Sequence, residues 1–309
     1  MFLDDFEPLY EISSTDLHQM YLAKRYVTGK EVIVKVLEGK SREYSKQKDI
    51  MVPNEILINK KLNNPAIFQK WEEFFFESGL WSYFRWFYSS TKYVFLFDQQ
   101  IILSAIGLLI LADKDHVLTY VSLTGVWFMV FEAAQGVCTL SDYIAEHGAL
   151  SETQAREIMR QLYNILIFCH LKDVDPRNLC PNNILIQPDT LKIKLSNFEE
   201  ASLTLKSSKP HITEISDPAY LPPEYFLTGK HLPLHGSVWS LGCILFEMVF
   251  ARRPLFVTAS DFQQLENLFS KVSTNCIRFL KGCLCPVSRK RLEFQEVKRH
   301  VWFSGEISM

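Results

Sequence analysis

The sequence lacks the cysteine spacing and the charge imbalance that would assign a 309-residue chain to a special structural class. None of its seven cysteines forms a CxxC pair, and the CxC at Cys283 and Cys285 has no companion at zinc-ligand spacing, so we expect reduced thiols and no metal scaffold. The 33 basic and 35 acidic residues give a net charge of -2 without a block of one sign, which argues against a nucleic-acid partner.

The N-terminus also lacks the features of a secretory signal. The first ten residues, MFLDDFEPLY, are acidic where such a signal carries a basic region, so we expect no export. The resulting expectation is a cytoplasmic protein, with the nucleus as an additional location.

Long apolar runs are scarce, and one of them lies between residues 77 and 124. Residues 93–112 have about the 20 residues that a membrane helix needs, but polar residues interrupt them at positions 98–100, and residues 101–112 are too short to span a bilayer alone. The segment has neither helix caps nor clear amphipathicity. Three interpretations stay open: an insertion that offers a docking surface, translated non-coding sequence, which we favour, and a membrane helix, which we favour least.

Strand patterns dominate the N-terminal third. The segment Glu31–Gly39 (EVIVKVLEG) is rich in β-branched residues and follows the turn signal TGK, which predicts a hairpin with Met20–Val27 as its partner. The segment Val52–Leu62 predicts a helix with Pro53 in its first turn. A buried strand is predicted for Val126–Glu132 (VWFMVFE).

Helical patterns dominate after Gln135. Ser151 and Gln154 have the spacing of a capping box, and apolar residues follow at helical spacing. These apolar positions are Ile158, Leu162, Ile165, Leu166 and Cys169. Two strand-like pieces, NILIQ and LKIKLSNF, precede a long apolar helix, SVWSLGCILFEMVF. The sequence therefore predicts an α+β fold with a small β-rich lobe, a larger helical lobe and a ligand cleft at their junction.

The stretch Leu171–Ile186 (LKDVDPRNLCPNNILI) contains two overlapping copies of one pattern, an acid or amide followed by a four-residue spacer and an asparagine. One copy runs from Asp173 to Asn178, and the other runs from Asn178 to Asn183. The first copy offers a carboxylate that can accept a proton, whereas the second offers an amide that cannot. The residues alone leave both alternatives open.

Several short motifs occur along the chain in the same order as in one large family. They are VIVK (Val32–Lys35), VPNEILINKKL (Val52–Leu62), EAAQGVCTLSDYIAEHG (Glu132–Gly148), NNILI, LPPE (Leu221–Glu224), SVWSLGCILFEM and SRKRLEFQEVKRHVWF. By these motifs the chain resembles the eukaryotic protein kinases and is most similar to the Pim family of serine/threonine kinases. The resemblance implies one bilobal kinase-like domain over residues 1–309, with an N-lobe at 1–133 that carries the insertion and a C-lobe at 134–309. Within the C-lobe it implies a structural ion pair between Glu224 and Arg291.

The resemblance also implies which residues occupy the base and metal positions. The spacing typical of Pim-like kinases is preserved when Asn178 stands at the base position and Asn183 and Asn197 stand at the metal positions. The alternative base, Asp173, would need a five-residue deletion before it and a five-residue insertion after it. The resemblance therefore implies neutral amides at two positions where the family has aspartates, which weakens both proton transfer and magnesium binding.

The nucleotide-binding positions of the family are altered as well. Its glycine-rich loop falls on Ser13–His18 (SSTDLH), which has no glycine that would let backbone amides approach a phosphate. Lys35 and Glu55 correspond to the family's lysine–glutamate ion pair, and Glu132 and Ala134 lie in the hinge that contacts adenine. The resemblance implies ATP and Mg²⁺ as cofactors. The missing glycines argue against ATP binding, whereas the backbone N–H of Ala134, where Pim kinases have proline, argues for it.

Three functions are consistent with this resemblance. The first is a pseudokinase that binds or scaffolds a protein partner and has lost most phosphoryl transfer. The second is an unconventional active serine/threonine kinase that phosphorylates a protein substrate, with Asp173 or Asp175 as the base and Glu199 or Glu200 supporting the metal. The third is a kinase-like protein that residues 80–124 anchor in a membrane.

Overall fold

The structure is a computed structural model of the whole chain, and it divides into two compact units. The first unit contains Met1–Ile56 and Gln69–Ala134, and the second contains Leu57–Phe68 and Gln135–Met309. The structure describes residues 6–14, 18–26, 29–38, 44–47, 50–62, 70–75, 111–112, 118–119, 126–132, 136–203, 217–228, 233–254 and 266–305. The interpretation of the chain as one domain stays a prediction, and each unit is described by itself.

The first unit is built on a five-stranded antiparallel sheet. The strands described in this unit are β1 (Phe6–Ser14), β2 (His18–Arg25), β3 (Glu31–Glu38), β4 (Tyr44–Gln47), β5 (Ile50–Pro53), β6 (Lys70–Phe75), β7 (Leu111–Ala112), β8 (Leu118–Thr119) and β9 (Val126–Glu132). The main sheet has the order β1-β2-β3-β9-β6, while β4 pairs with β5 and β7 pairs with β8. Helix α1 (Asn54–Lys61) contributes its first turn to this unit.

The predicted hairpin is confirmed as β2 and β3, with a shift at the turn. Strand β2 ends at Arg25, where the prediction placed its end at Val27. The backbone N–H of Arg25 donates to the carbonyl of Lys30 at 2.9 Å, and Gly29 lies in the left-handed region with φ +65°. Glycine reaches this region without a steric cost, so the chain can reverse direction between β2 and β3 here.

The predicted start of the first helix is wrong by two residues. Helix α1 begins at Asn54, while Val52 and Pro53 belong to β5 and pair with Ser45 and Tyr44 of β4. A proline disfavours the helical conformation of the residue before it, so Val52 is driven into the extended region. Pairing with β4 then keeps Pro53 in the strand, at its last position.

The second unit is mostly helical. Its helices are α2 (Leu140–His147), α3 (Glu152–Leu171), α4 (Pro223–Thr228), α5 (Pro233–Phe250), α6 (Glu266–Phe269), α7 (Thr274–Cys283), α8 (Phe294–Val297) and α9 (Val301–Ser304). Short 3-10 helices cover Pro181–Asn183, Pro218–Tyr220 and Ser288–Lys290. A three-stranded sheet contains β10 (Cys138–Thr139), β11 (Ile184–Gln187) and β12 (Lys192–Leu195) in that order.

Helix α3 forms where the capping signal predicted it. The backbone N–H of Gln154 donates to Ser151 Oγ at 3.3 Å, and the backbone N–H of Ser151 donates to Gln154 Oε1 at 3.1 Å. These two bonds satisfy donors that the first turn of a helix otherwise leaves open. The predicted apolar face is buried along its whole length. It consists of Ile158, Leu162, Ile165, Leu166 and Cys169.

Helix α5 is the central element of the second unit. Every residue from Gly236 to Phe250 is buried, so the helix is apolar all round because neighbouring elements surround it. Within the described ranges it is also the one helix whose length and composition would suit a membrane span, and most of it is buried inside the fold. The predicted membrane segment at 93–112 lies outside the described residues, apart from the last two, which form β7.

Candidate functional site

A buried ion pair joins β3 to α1 in the first unit. Lys35 Nζ lies 2.9 Å from both Glu55 Oε1 and Glu55 Oε2, and both side chains are almost fully buried. Lys35 is held in register opposite Met20 of β2 and Met129 of β9. A buried charge is tolerated when an opposite charge and hydrogen bonds satisfy it, as this bidentate contact does. The predicted contact is confirmed, while its catalytic role stays a prediction.

The two acids in the loop after α3 occupy different environments. Asp173 is exposed, has φ +52°, and donates its backbone N–H to the carbonyl of His170 at 3.0 Å, so it completes the end of α3. Asp175 is 4% exposed and forms a backbone bridge with Ser202, with N–O distances of 3.0 Å and 2.9 Å. The first acid is therefore a helix-end residue, and the second ties this loop to the segment after β12.

The carboxylate of Asp175 is engaged by the residue two positions later. Its Oδ1 accepts the backbone N–H of Arg177 at 3.3 Å, and Arg177 Nε lies 3.9 Å from Oδ2. Arg177 has φ +59°, which is uncommon for a residue with a side chain. The Asp175 contacts hold the strained residue that immediately precedes Asn178.

The side-chain amides of two asparagines and the backbone carbonyl of a third are joined by hydrogen bonds in the second unit. Asn183 Nδ2 donates to the backbone carbonyl of Asn178 at 2.9 Å, and Asn197 Nδ2 donates to Asn183 Oδ1 at 3.4 Å. The backbone N–H of Glu199 donates to Asn197 Oδ1 at 3.4 Å. We call this series of three contacts the amide chain. It brings Asn183 and Asn197 together, while the roles of these two residues and of Asn178 stay predictions.

Further contacts around Asn183 and Asn197 hold the backbone on which the amide chain is built. The carbonyl of Asn183 accepts both the N–H and the hydroxyl of Ser196, at 2.9 Å and 3.0 Å. Asn197 has φ +57°, a conformation that asparagine adopts more readily than most residues. Phe198 is 1% exposed and belongs to the hydrophobic core of the unit. The polypeptide is thereby fixed on both sides of Asn197, by the hydrogen bonds of Ser196 and by the burial of Phe198.

A magnesium ion, which the resemblance implies at Asn183 and Asn197, does not fit this donor set. Both side chains are neutral, and Mg²⁺ gives up its waters mainly to carboxylates and phosphates. The Nδ2 of Asn197, a donor with partial positive charge, faces the oxygen that would bind the ion. Among the described residues there is also no group of three or more His, Cys, Asp or Glu side chains that could hold a metal.

The predicted nucleotide-binding residues of the first unit lie at strand ends. Ser13 pairs with Met20 near the end of β1, and His18 is the first residue of β2, opposite Leu37 of β3. The loop between the two strands, residues 15–17, lies outside the described residues. Glu132 ends β9 opposite Val32, and the hinge position Ala134 also falls outside the described ranges. Their roles in binding ATP stay predictions.

The predicted bridge between Glu224 and Arg291 is confirmed. Arg291 Nη1 and Nη2 donate to the two carboxylate oxygens of Glu224 at 2.8 Å and 2.7 Å. Nη1 also donates to the carbonyl of His235 at 2.9 Å, and Nε donates to that of Cys285 at 3.0 Å. The guanidinium carbon also lies 5.0 Å from the ring centre of Trp239. Four of the five guanidinium N–H groups therefore have an acceptor, and both carboxylate oxygens of Glu224 are engaged, so removing either partner would leave buried polar groups without their main contact.

Sequence reasoning missed a buried acid in α5. Tyr220 donates its hydroxyl to Glu247, and burial followed by this hydrogen bond raises the pKa of Tyr220 far above its usual range. Burial also raises the pKa of Glu247. Nearby, Arg253 forms an ion pair with Asp217. The signal in the sequence was a single acid within the apolar stretch SVWSLGCILFEMVF.

These features can be compared with those of known proteins. A family model described as the protein kinase domain matches residues 112–303, which is more than half of the chain. The chain belongs to the eukaryotic protein kinase superfamily. This kinase homologue is 33% identical over 177 residues to the serine/threonine-protein kinase pim-2 of Danio rerio, which confirms the Pim-like similarity. The match covers 57% of this chain and 56% of pim-2, so the chain spans about half the length of that relative.

The fold of this kinase homologue is also found among solved structures. It matches the crystal structure of Rad53 residues 1–466 in complex with AMP-PNP, with a TM-score of 0.64 and 20% sequence identity. The match covers 98% of this chain and 66% of the Rad53 chain. At this identity the likeness shows the fold alone, and it confirms the predicted α+β kinase-like class.

Proposed function

We propose that this kinase homologue is a pseudokinase, a module that binds a protein partner and has lost most phosphoryl transfer. A kinase normally positions a carboxylate that accepts the proton of the substrate hydroxyl. An amide has no such basicity, and loss of a positioned general base lowers the rate by about 10²–10⁴. The cytoplasmic location and the protein partner belong to the same proposal.

The amide chain is the observation that carries the proposal. Asn183 donates to the backbone carbonyl of Asn178 and accepts from Asn197, so the residue whose backbone contacts the Asn183 metal position of the family is an asparagine. The competing acid, Asp173, is exposed at the end of α3. The other acid, Asp175, is buried and contacts Arg177 on both carboxylate oxygens. These surroundings favour the Asn178 alternative over a displaced base.

Nucleotide binding is a separate part of the proposal. The buried contact between Lys35 and Glu55 supports a retained phosphate-facing lysine. The Rad53 structure was solved with AMP-PNP, and the shared fold makes an adenine nucleotide the ligand class to test in this chain. The missing glycines of Ser13–His18 favour weaker binding than an ordinary kinase has.

The decisive experiment measures phosphate transfer to a basic serine/threonine peptide at saturating Mg-ATP. We expect the wild-type chain to turn over at least about 100-fold more slowly than the roughly 1–100 s⁻¹ of ordinary kinases. Replacing both amides, in the double variant Asn178→Asp with Asn197→Asp, should raise the rate because it returns a base and a metal ligand. The variant Lys35→Ala measures the background from contaminating kinases.

The active-kinase alternative makes the opposite set of expectations. Ordinary turnover by the wild-type chain, abolished by Asp173→Asn or Asp175→Asn and unaffected by Asn178→Ala, would refute the pseudokinase proposal. A wild-type rate at the Lys35→Ala background, together with a gain in the double variant, supports it.

A further inference from the structure

We propose that the Asn197 amide takes the structural place of a divalent cation, so that the position between Asn183 and Asn197 is closed to Mg²⁺. The inference relies on the proposed function only to identify Asn183 and Asn197 as the family's metal positions. Its physical basis is the direction in which the amide chain runs. Its test needs neither nucleotide nor activity, so the two proposals can fail separately.

The direction of the amide chain is set at Asn178. A backbone carbonyl only accepts hydrogen bonds, so the Asn183 group that lies 2.9 Å from it must be the Nδ2 donor. The Oδ1 of Asn183 is thereby turned toward Asn197. At the other end, the backbone N–H of Glu199 only donates, so it requires the Oδ1 of Asn197. The Nδ2 of Asn197 is left facing Asn183 Oδ1.

A cation would have to reverse this order. To bind an ion between the two side chains, Asn197 would turn its Oδ1 toward Asn183 Oδ1, and two acceptors would then face each other. The same rotation would turn Nδ2 toward the N–H of Glu199, so two donors would meet at the other end. The rotation is opposed at both ends, and the ion offers little in return because Mg²⁺ gives up its waters reluctantly to neutral ligands.

The amide chain also does what a bridging ion does. It links Asn183, the last residue of the 3-10 helix at 181–183, to the segment that contains Asn197, after β12. A carboxylate at position 197 would place a negative oxygen against Asn183 Oδ1 and would need a cation to hold the same two segments together. The asparagine supplies its own donor, so the link forms in the metal-free chain.

The test compares melting temperatures with EDTA and with millimolar MgCl₂, without nucleotide. We expect the wild-type melting temperature to be the same in both conditions. Asn197→Asp should melt lower than wild type in EDTA, because two acceptors meet, and MgCl₂ should recover much of the loss by binding the folded state. Asn197→Ala should also melt lower, since it loses both contacts, but MgCl₂ should not restore it.

The matched control is Asn164→Asp, the same substitution at an exposed position on α3. It measures the general effect of Mg²⁺ on a chain with one more negative charge. The proposal is overturned if MgCl₂ raises the wild-type melting temperature more than that of the control, or if Asn197→Asp responds no more than the control.

A second measurement decides the matter if Asn197→Asp does not fold. Mn²⁺ is titrated into the wild-type chain and followed by electron paramagnetic resonance, in which bound ions lose the signal of free Mn²⁺. No saturable binding is expected. Saturable binding that Mg²⁺ displaces and Asn197→Ala abolishes would show that the amides do hold a cation, and the proposal would be wrong.

Discussion

At the scale of single residues, His170 couples the stability of the second unit to pH. Neither of its ring nitrogens has a hydrogen-bond partner among the described residues, and its ring packs edge-on against Phe294 at 4.9 Å between centroids. Burial lowers the pKa of His170, and the nearby Asp175 opposes this only in part. The folded chain therefore favours the neutral imidazole.

The pH dependence that follows has a definite sign. Above the ordinary pKa of about 6.5 both folded and unfolded chains carry a neutral histidine. As pH falls through 6.5 toward the lowered pKa, the unfolded chain gains a proton that the folded chain does not, so the free energy of unfolding decreases. We predict that His170→Phe reduces this loss between pH 7 and pH 5, measured by urea unfolding at each pH.

The control for this prediction is Leu171→Phe, which introduces the same ring at an adjacent exposed position and removes no titratable group. Its loss of stability on acidification should match that of the wild type. Part of the loss remains in His170→Phe, because burial also lowers the pKa of His300. Equal losses in His170→Phe and wild type would contradict the prediction.

The residue pairs show which contacts a sequence can supply. The contacts of Lys35 with Glu55 and of Glu224 with Arg291 were predictable because motif order fixes each partner. The direction of the amide chain was not predictable, since spacing gives the positions of asparagines but not which atom of an amide faces its neighbour. That choice depends on a backbone carbonyl and a backbone N–H, which only the folded chain brings together.

At the scale of elements, two glycines test how closely α5 and α7 pack. A Cβ added to Gly242 in α5 would lie 2.7 Å from Cys283 Cβ and 2.9 Å from Leu284 Cδ2, closer than real contacts. A Cβ added to Gly282 in α7 would come no nearer than 3.6 Å to Leu292. Alanine therefore fits at one of these helical positions and not at the other.

We predict that only one of the two substitutions lowers the free energy of unfolding. Replacing glycine by alanine favours a helix by about 1 kcal/mol, so Gly282→Ala should keep or raise the free energy of unfolding. Gly242→Ala should lower it by about 1–3 kcal/mol, because α5 and the chain at Cys283 must separate. Urea unfolding of both variants checks this, and a Gly242→Ala variant as stable as Gly282→Ala would contradict it.

The accuracy of the predicted elements followed the strength of their local signals. Helix α3 has a capping box and a long apolar face, and both were predicted. The start of α1 was wrong because pairing of β5 with β4 extends the strand to Pro53, and that pairing is not visible in the helical pattern. Helices α8 and α9, with four residues each, are too short for apolar periodicity to appear.

At the scale of the whole molecule, β6 and β9 are antiparallel neighbours although a long segment separates them in sequence. Phe75 at the end of β6 pairs with Trp127 near the start of β9. Two strand ends that meet in this way can be joined by a turn of a few residues. The segment at 77–124 is therefore dispensable for this pairing.

We predict that a chain with a short turn in place of residues 77–124 has a free energy of unfolding about 2 kcal/mol higher than one with an equal-length Gly/Ser segment there, since each doubling of loop length costs about 0.6 kcal/mol. Urea unfolding of both variants checks this, and comparison with the wild type measures what β7, β8 and the rest of the native segment contribute. A short-turn variant less stable than the wild type would mean that the native segment contributes packing. Wild-type chain that stays in carbonate-washed membranes, and leaves them in the short-turn variant, would instead support a membrane anchor.

The fold class was predictable from motif order, and the comparisons with pim-2 and Rad53 confirm it. Whether the chain transfers phosphate was not predictable to the same degree, because it depends on one proton acceptor at one atom. The overlapping pattern from Asp173 to Asn183 left that atom open, and the assignment of Asn178 to the base position stays part of the proposal.

Strand β1 has a consequence for how separate copies of the chain behave toward each other. It lies at one end of the main sheet and exposes Leu9, Tyr10 and Ile12. An edge of this kind invites a strand from another molecule and, from there, fibrils. In β1, Pro8 has no N–H to donate, and the register with β2 shifts after Pro8 and after Glu11. A strand from another molecule could therefore not form a regular series of backbone hydrogen bonds with β1. The irregular hydrogen-bonding edge of β1 therefore disfavours the addition of a strand from another copy of the chain, even though apolar side chains are exposed there.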